Sequence, residues 1–261
     1  MDEKLKHNIL LAFSFAKRDF NERYVGTGLG QLWYMINPII TIFIYTVIFS
    51  GFMKMKLNVI DSSYSYSIYL VPGLLAWMSF STILIRLSTL FYEKANFIKK
   101  INVPMYTYYL SILITEFFIF ILSISFSIVF LLIIKHPLTL VFFWMIPVML
   151  LQTIFALSLG IILSLFVPFI KDLKEAIPIF IQLWFWATPI IYMKEMIEDK
   201  YPLILVVNPF YYYVTIYQDI FLFSKKPSIN DLIILVIISL ITLSISTYLY
   251  NKMLGTIKDI I

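Results

Sequence analysis

Apolar residues in this chain come in long unbroken blocks separated by short polar stretches. An α-helix rises ~1.5 Å per residue, so ~20 mostly apolar residues carry it across ~30 Å of hydrocarbon. Six blocks reach that length: Leu32–Phe52, Ile68–Leu90, Tyr106–Ile134, Leu138–Ile170, Ala176–Met193 and Leu232–Tyr250. The third exceeds the thickness of the layer, which predicts that it tilts or projects. Pro38, Pro72, Pro147, Pro178 and Pro189 lie inside or at the ends of these blocks. Prolines are tolerated there because neighbouring helices can satisfy the carbonyls they free.

Three segments that do not span have patterns of their own. From Leu5 to Tyr24, Leu5, Ile9, Phe13, Ala16 and Phe20 recur at helical spacing against Lys6, Lys17, Arg18, Asp19 and Glu22. This predicts an amphipathic helix lying along one leaflet. Glu93–Pro104 mixes charged and apolar residues between the second and third blocks. Lys194–Asp231 is too long for a turn, and its apolar runs Pro202–Val207 and Pro209–Leu222 are each too short to span. Because proline stops the helix before it, two re-entrant helices broken at Asn208-Pro209 are predicted. The expected fold is all-α and membrane-integral, with six transmembrane helices, an N-terminal interface helix and two short outer re-entrant helices. It forms one transmembrane domain over 1–261: 1–30 interface helix, 32–193 spans one to five, 194–231 outer segment, 232–250 span six and 251–261 tail.

Composition agrees with a lipid environment. The 261 residues are 61% hydrophobic and 13% charged, with a mean hydropathy of +0.91, more apolar surface than a soluble core absorbs. The net charge of +5 belongs to the loops and is read as topology, not as affinity for nucleic acid. With the N-terminus inside, twelve basic residues fall on the cytoplasmic side and seven outside (Arg86 lies within a span), which predicts cytoplasmic N- and C-termini. The first apolar run, Ile9–Ala16, is short and stops at Lys17-Arg18-Asp19, so no removable signal peptide is expected.

Much chemistry is missing. No cysteine is present, and none of the seven glycines precedes a lysine, so neither a thiolate site nor a P-loop can form. Gly26, Gly28 and Gly30 follow no strand and read as a turn. His7 and His136 are isolated, no metal set is predicted, and no Ser-His-Asp or paired-carboxylate arrangement is visible. Two charges do fall within spans, Arg86 and Glu116. Buried charge is costly and marks pairing or function. Their depths, ~9 and ~15 Å from the same end, predict a mutual ion pair, either a clamp between helices or part of a substrate or gating path. Trp77, Phe80, Trp184, Phe185 and Trp186 lie mid-span. They read either as packing or as a lumen offering aromatic faces to sugar rings.

The run Arg23-Tyr24-Val25-Gly26-Thr27-Gly28-Leu29-Gly30-Gln31-Leu32-Trp33, followed by Asn37-Pro38, resembles the N-terminal motif of ABC-type polysaccharide exporter permeases. Further matches are Pro72–Trp77, Asn96–Lys100 through Pro104, Lys171-Asp172-Leu173, Thr188–Tyr192 and Asn208-Pro209. The series runs in order over nearly the whole chain. It departs at Lys171, where Arg is frequent in the family, and at Gln218, where Arg often precedes Asp219.

The resemblance implies a non-enzymatic transport subunit of the bacterial cytoplasmic (inner) membrane. It would work as a homodimer with separate ATP-binding subunits that hold ATP and magnesium, with no cofactor in this chain. The implied cargo is an undecaprenyl-diphosphate-linked polysaccharide of O-antigen, teichoic acid or capsule type. Glu93, Lys94, Asn96, Phe97, Lys99 and Lys100 would couple to the ATPase. Tyr192, Asn208 and Pro209 would belong to the outer gate. Lys17, Arg18 and Arg23, the last in the matched motif beside the membrane, read either as attracting the lipid diphosphate at the cytoplasmic entrance or as the ordinary basic preference of the inner leaflet. Two other transport readings, a drug or lipid exporter permease and an ion-coupled carrier, stay open, as does a membrane-embedded transferase. A carrier should show several buried carboxylates or paired broken helices, a transferase a catalytic acid or base at the membrane surface.

Overall fold

The computed structural model describes residues 3–53, 63–100, 103–198 and 200–260, and every regular element among them is helical. In chain order these are α1 (Glu3–Glu22), α2 (Trp33–Tyr45), α3 (Ser65–Ser88), α4 (Leu90–Glu93), α5 (Ala95–Lys100), α6 (Met105–Ile133), α7 (Met145–Phe166), α8 (Leu173–Trp186), α9 (Glu195–Glu198), α10 (Pro202–Val207), α11 (Pro209–Phe223) and α12 (Ile229–Ile260). Lys54 and Lys56, two of the basic loop residues, lie outside the described residues, as do the side chains of Lys4, Asn96, Lys100 and Lys258.

Five helices are long and apolar enough to cross a bilayer: Gly30–Phe52, Ser65–Ser88, Met105–Ile133, Leu140–Phe166 and Ile229–Ile257. The fifth expected span, Ala176–Met193, is not one of them. Its helix α8 has 14 residues, or ~21 Å, and stops at Ala187. Thr188-Pro189 accounts for the early stop, because proline disfavours the helical conformation in the residue before it. The chain then runs irregularly through Ile190–Met193 to α9.

The core is built around α3, whose face from Ser65 to Trp77 is buried on every turn. It packs against α6, α7, α11 and α8. The closest approach is at Gly160 of α7, where a Cβ would stand 2.4 Å from Leu87 Cδ1 and 2.8 Å from its Cβ. With only van der Waals packing and few polar contacts to bring membrane helices together, a small residue at the crossing is what lets them close. Gln152 of α7 donates to the Ala76 carbonyl of α3 at 2.9 Å, and α12 covers the other side of α7.

The break in the last outer segment falls at Asn208-Pro209, as the sequence predicts. Its two halves differ. Helix α10 leaves Leu203, Val206 and Val207 exposed, whereas α11 buries Phe210, Tyr213, Val214, Tyr217 and Phe221 against α3 and α7.

Helix α1 packs along α6 with only part of the stripe that amphipathicity selects, since Ala16 is buried and Phe20 meets Phe118 of α6. The inward face carries Asn8, Ala12, Phe15, Ala16, Asp19 and Arg23, while Leu5, Leu10 and Phe13 point away and are exposed. Small and polar residues face the protein because they allow close approach and interhelical hydrogen bonds. Asn8 Nδ2 donates to Tyr106 Oη at 2.6 Å, and Thr115 Oγ1 to the Ala16 carbonyl at 3.3 Å. The turn that follows uses Gly26 (φ 85°) and Gly30 (φ 50°), left-handed conformations that a side chain would strain.

Candidate functional site

Four charged side chains from three helices meet beneath α1. Arg86 of α3 donates through Nη1 to Glu116 Oε1 at 2.6 Å, and through Nη2 to both oxygens of Asp19, at 2.7 and 2.8 Å. Glu116 Oε1 also accepts from Arg23 Nη2. The two charges within spans are therefore together, and Asp19 and Arg23 join them. Neither joined residue is paired this way by the sequence reading, although the signal is there: Ala12, Ala16, Asp19 and Arg23 are spaced 4, 3 and 4 residues apart and so share one helical face. Two acids and two bases cancel, the condition under which charge is tolerated away from water.

Arg23 and Glu116 line a cavity of about 190 Å³ between α2, α3 and α6. Tyr24, Tyr34, Asn37, Ser79, Thr82 and Ser123 supply polar atoms to its wall, and Pro38, Leu75, Met78 and Phe120 supply apolar surface. Ser79 Oγ is buried without a hydrogen-bond partner. Arg23, expected where a lipid diphosphate enters, is thus at a cavity wall but already engaged by a carboxylate.

The mid-span aromatics divide. Trp77 and Phe80 are buried in the core of the chain. Phe80 packs on Phe210 (4.4 Å between centroids) and stacks on Phe155 (5.6 Å), and Trp77 meets Phe210 edge-on at 5.0 Å. Both rings are enclosed by this chain's own helices, the packing arrangement of the two that the sequence leaves open. Trp184 and Phe185 are partly buried and join this cluster through Trp77. Of the five, Trp186 is the exposed one, at 57%. Aromatic and small side chains alternate along α3, and period alone does not say which face of a fully apolar helix meets protein.

The broken end of α8 is held by side chains. Asn208 accepts from Trp184 Nε1 (2.8 Å) and the Phe210 amide (3.0 Å), and donates to Thr188 Oγ1 (2.8 Å) and the Ala187 carbonyl (3.2 Å). It caps α11 and ties it to α8 at once. Gln218 Nε2 donates to the Pro189 carbonyl at 3.1 Å. Tyr66 and Tyr69 reach the carbonyls of Ile191 and Tyr192, at 2.5 and 2.9 Å, and Tyr192 Oη turns back to that of Trp186 at 2.9 Å. Carbonyls released by the break are thus satisfied within the protein, as apolar surroundings demand. Pro209 begins α11 at a position where its missing N–H costs nothing.

At the opposite end, α4 and α5 form the turn between α3 and α6. Glu93, Phe97 and Lys99 are exposed and Lys94 is partly so. Thr89 Oγ1 donates to Glu93 at 2.7 Å. The Phe97 ring lies 5.1 Å from the Arg18 guanidinium, which also covers Phe15 at 5.5 Å, so α5 is tied to α1. Asn96 and Lys100 belong to α5, with side chains outside the described residues.

An all-helical bundle with a packed-on N-terminal helix, a charge-compensated interior and side chains closing a broken span defines a multi-pass membrane protein. The chain belongs to the ABC-2 type transporter family, which matches residues 11–222. Among curated relatives, it is 27% identical over 227 residues to an O-antigen export system permease protein, RfbA, of Klebsiella pneumoniae, covering 85% of each chain. It is 26% identical over 244 residues to the O-antigen export system permease protein RfbA of Myxococcus xanthus, covering 93% of this chain and 92% of that one.

Proposed function

We propose that this chain is the membrane subunit of an ATP-driven exporter for lipid-linked polysaccharide of the O-antigen type, working as two copies with separate ATP-binding subunits. The observation that carries the reading is similarity to O-antigen export permeases over 85% or more of the chain. The sequence holds no P-loop, which supports a separate ATP-binding partner that holds ATP and magnesium. The protein lies in the cytoplasmic membrane with both termini inside, and the exposed Leu5, Leu10 and Phe13 of α1 face the inner leaflet. Glu93, Lys94, Asn96, Phe97, Lys99 and Lys100 receive the ATPase, and the tie between α5 and α1 supports their moving together. Ile179, Phe180, Leu183 and Trp186 leave α8 an exposed apolar face, suited to a second copy across the path of the glycan. The clasp around Tyr192, Asn208 and Pro209 holds the outer gate. An undecaprenyl diphosphate carries the cargo, of O-antigen, teichoic acid or capsule type.

Co-expression with an ATP-binding subunit, sought first in the adjacent reading frame, tests this reading. ATP hydrolysis by the co-purified complex, with glycan export lost when the ATPase is inactivated, is the expected result. Transport by this chain alone, driven by an ion gradient, would overturn it, and export of a drug or simple lipid instead of glycan would overturn the cargo.

A further inference from the structure

The four charges around Arg86 are unequal. Side-chain exposure falls from 25% at Arg23 to 19% at Arg86, 18% at Asp19 and 4% at Glu116. Glu116 shares one oxygen between two guanidinium groups. If Arg23 left, Glu116 would keep Arg86 at 2.6 Å, whereas removing Arg86 would strip Asp19 of both its bonds. Arg23 is therefore the exchangeable member. Its guanidinium lines a cavity of about 190 Å³ between α2, α3 and α6. Thr82 and Asn37 on the same wall can donate to phosphate oxygens, and Leu75, Met78 and Phe120 suit the start of a lipid chain.

We infer that this cavity is a phosphate-binding site for a lipid head group and that the protein occupies it itself: the Glu116 carboxylate sits on Arg23 until an incoming phosphate displaces it. The inference rests on the exporter reading and adds to it a competitor inside the chain. Arginine pairs with phosphate and carboxylate by the same two-pronged geometry, so one can replace the other. At rest the cluster carries no net charge, and Arg86 keeps Glu116 compensated during the exchange.

Binding of a short-chain polyprenyl diphosphate to the full-length chain in neutral phosphatidylcholine nanodiscs, without ATP, tests this separately from export. Arg23→Gln should weaken binding by about tenfold or more, the loss of one charge-assisted contact. Glu116→Gln should tighten it by about tenfold, since the competitor is gone. Unchanged binding in Arg23→Gln, or binding no tighter in Glu116→Gln, would overturn the inference, and inorganic pyrophosphate competing as well as the lipid would overturn the lipid assignment. If Glu116→Gln does not fold, Thr82→Cys on the same cavity wall decides, because the chain has no other cysteine. Its labelling by a water-soluble thiol reagent should slow when the diphosphate is present, and an unchanged rate would count against the site.

Discussion

One guanidinium, that of Arg86, holds three carboxylate oxygens within 2.8 Å. Arg86→Ala leaves Asp19 without a partner and Glu116 with Arg23 alone, an uncompensated charge in a buried setting. It should cost about 3–5 kcal/mol in a denaturation experiment in detergent. Arg86→Lys keeps the charge but cannot grip Asp19 with the same fork, so a smaller loss is expected. The effect should persist in high salt, because buried pairs are poorly screened. Asn208 is the other residue with much at stake. Asn208→Leu fills the volume but forfeits its four hydrogen bonds, stranding the Trp184 indole N–H and the Phe210 amide. A loss of about 2–4 kcal/mol is expected, read by the same denaturation.

Between elements, the α3–α7 crossing depends on what Gly160 lacks. Gly160→Ala would put a methyl 2.4 Å from Leu87 Cδ1, and such overpacking costs about 1–3 kcal/mol. Leu87→Ala in the same chain should recover part of that, a non-additivity that a double-mutant cycle would measure. The tie between α5 and α1 is weaker, since a cation–π contact at an exposed site contributes about 0.5–1 kcal/mol. Phe97→Ala should leave stability nearly unchanged, and under the exporter reading it should lower export per ATP hydrolysed by the complex. A drop in stability as large as that of Arg86→Ala would show that Phe97 is a core residue instead.

For the whole molecule, the cysteine-free sequence makes topology directly measurable. With the N-terminus inside, Lys226→Cys should react with a membrane-impermeant thiol reagent on intact cells, and Lys99→Cys only after the cells are opened. The reverse pattern would invert the molecule and remove the turn containing Phe97 from any cytoplasmic ATPase. Beside the five continuous spans, both termini inside require a sixth crossing, which under this reading the 14 residues of α8 complete together with the irregular residues 187–193. The broken end of α8 is fixed by Asn208, Gln218, Tyr66 and Tyr69, drawn from two other helices.

The apolar blocks by themselves determined that the chain is helical and membrane-bound, because a segment that buries no backbone hydrogen bond elsewhere must be a helix in lipid. The break at Asn208-Pro209 was legible for a similar local reason, since proline stops a helix whatever surrounds it. Only the tertiary structure decided which residues face which. The inward face of α1 combines small and polar residues with Phe15; Trp77 and Phe80 are enclosed by this chain's own helices; and α8 ends early against partners on other helices. In lipid, apolar side chains are at ease on either face of a helix, so hydrophobicity marks the span but not the side. What orients the helices here is the few polar and charged groups that must find one another, Asp19, Arg23, Arg86 and Glu116 above all, and their meeting depends on three helices brought together from across the first half of the chain.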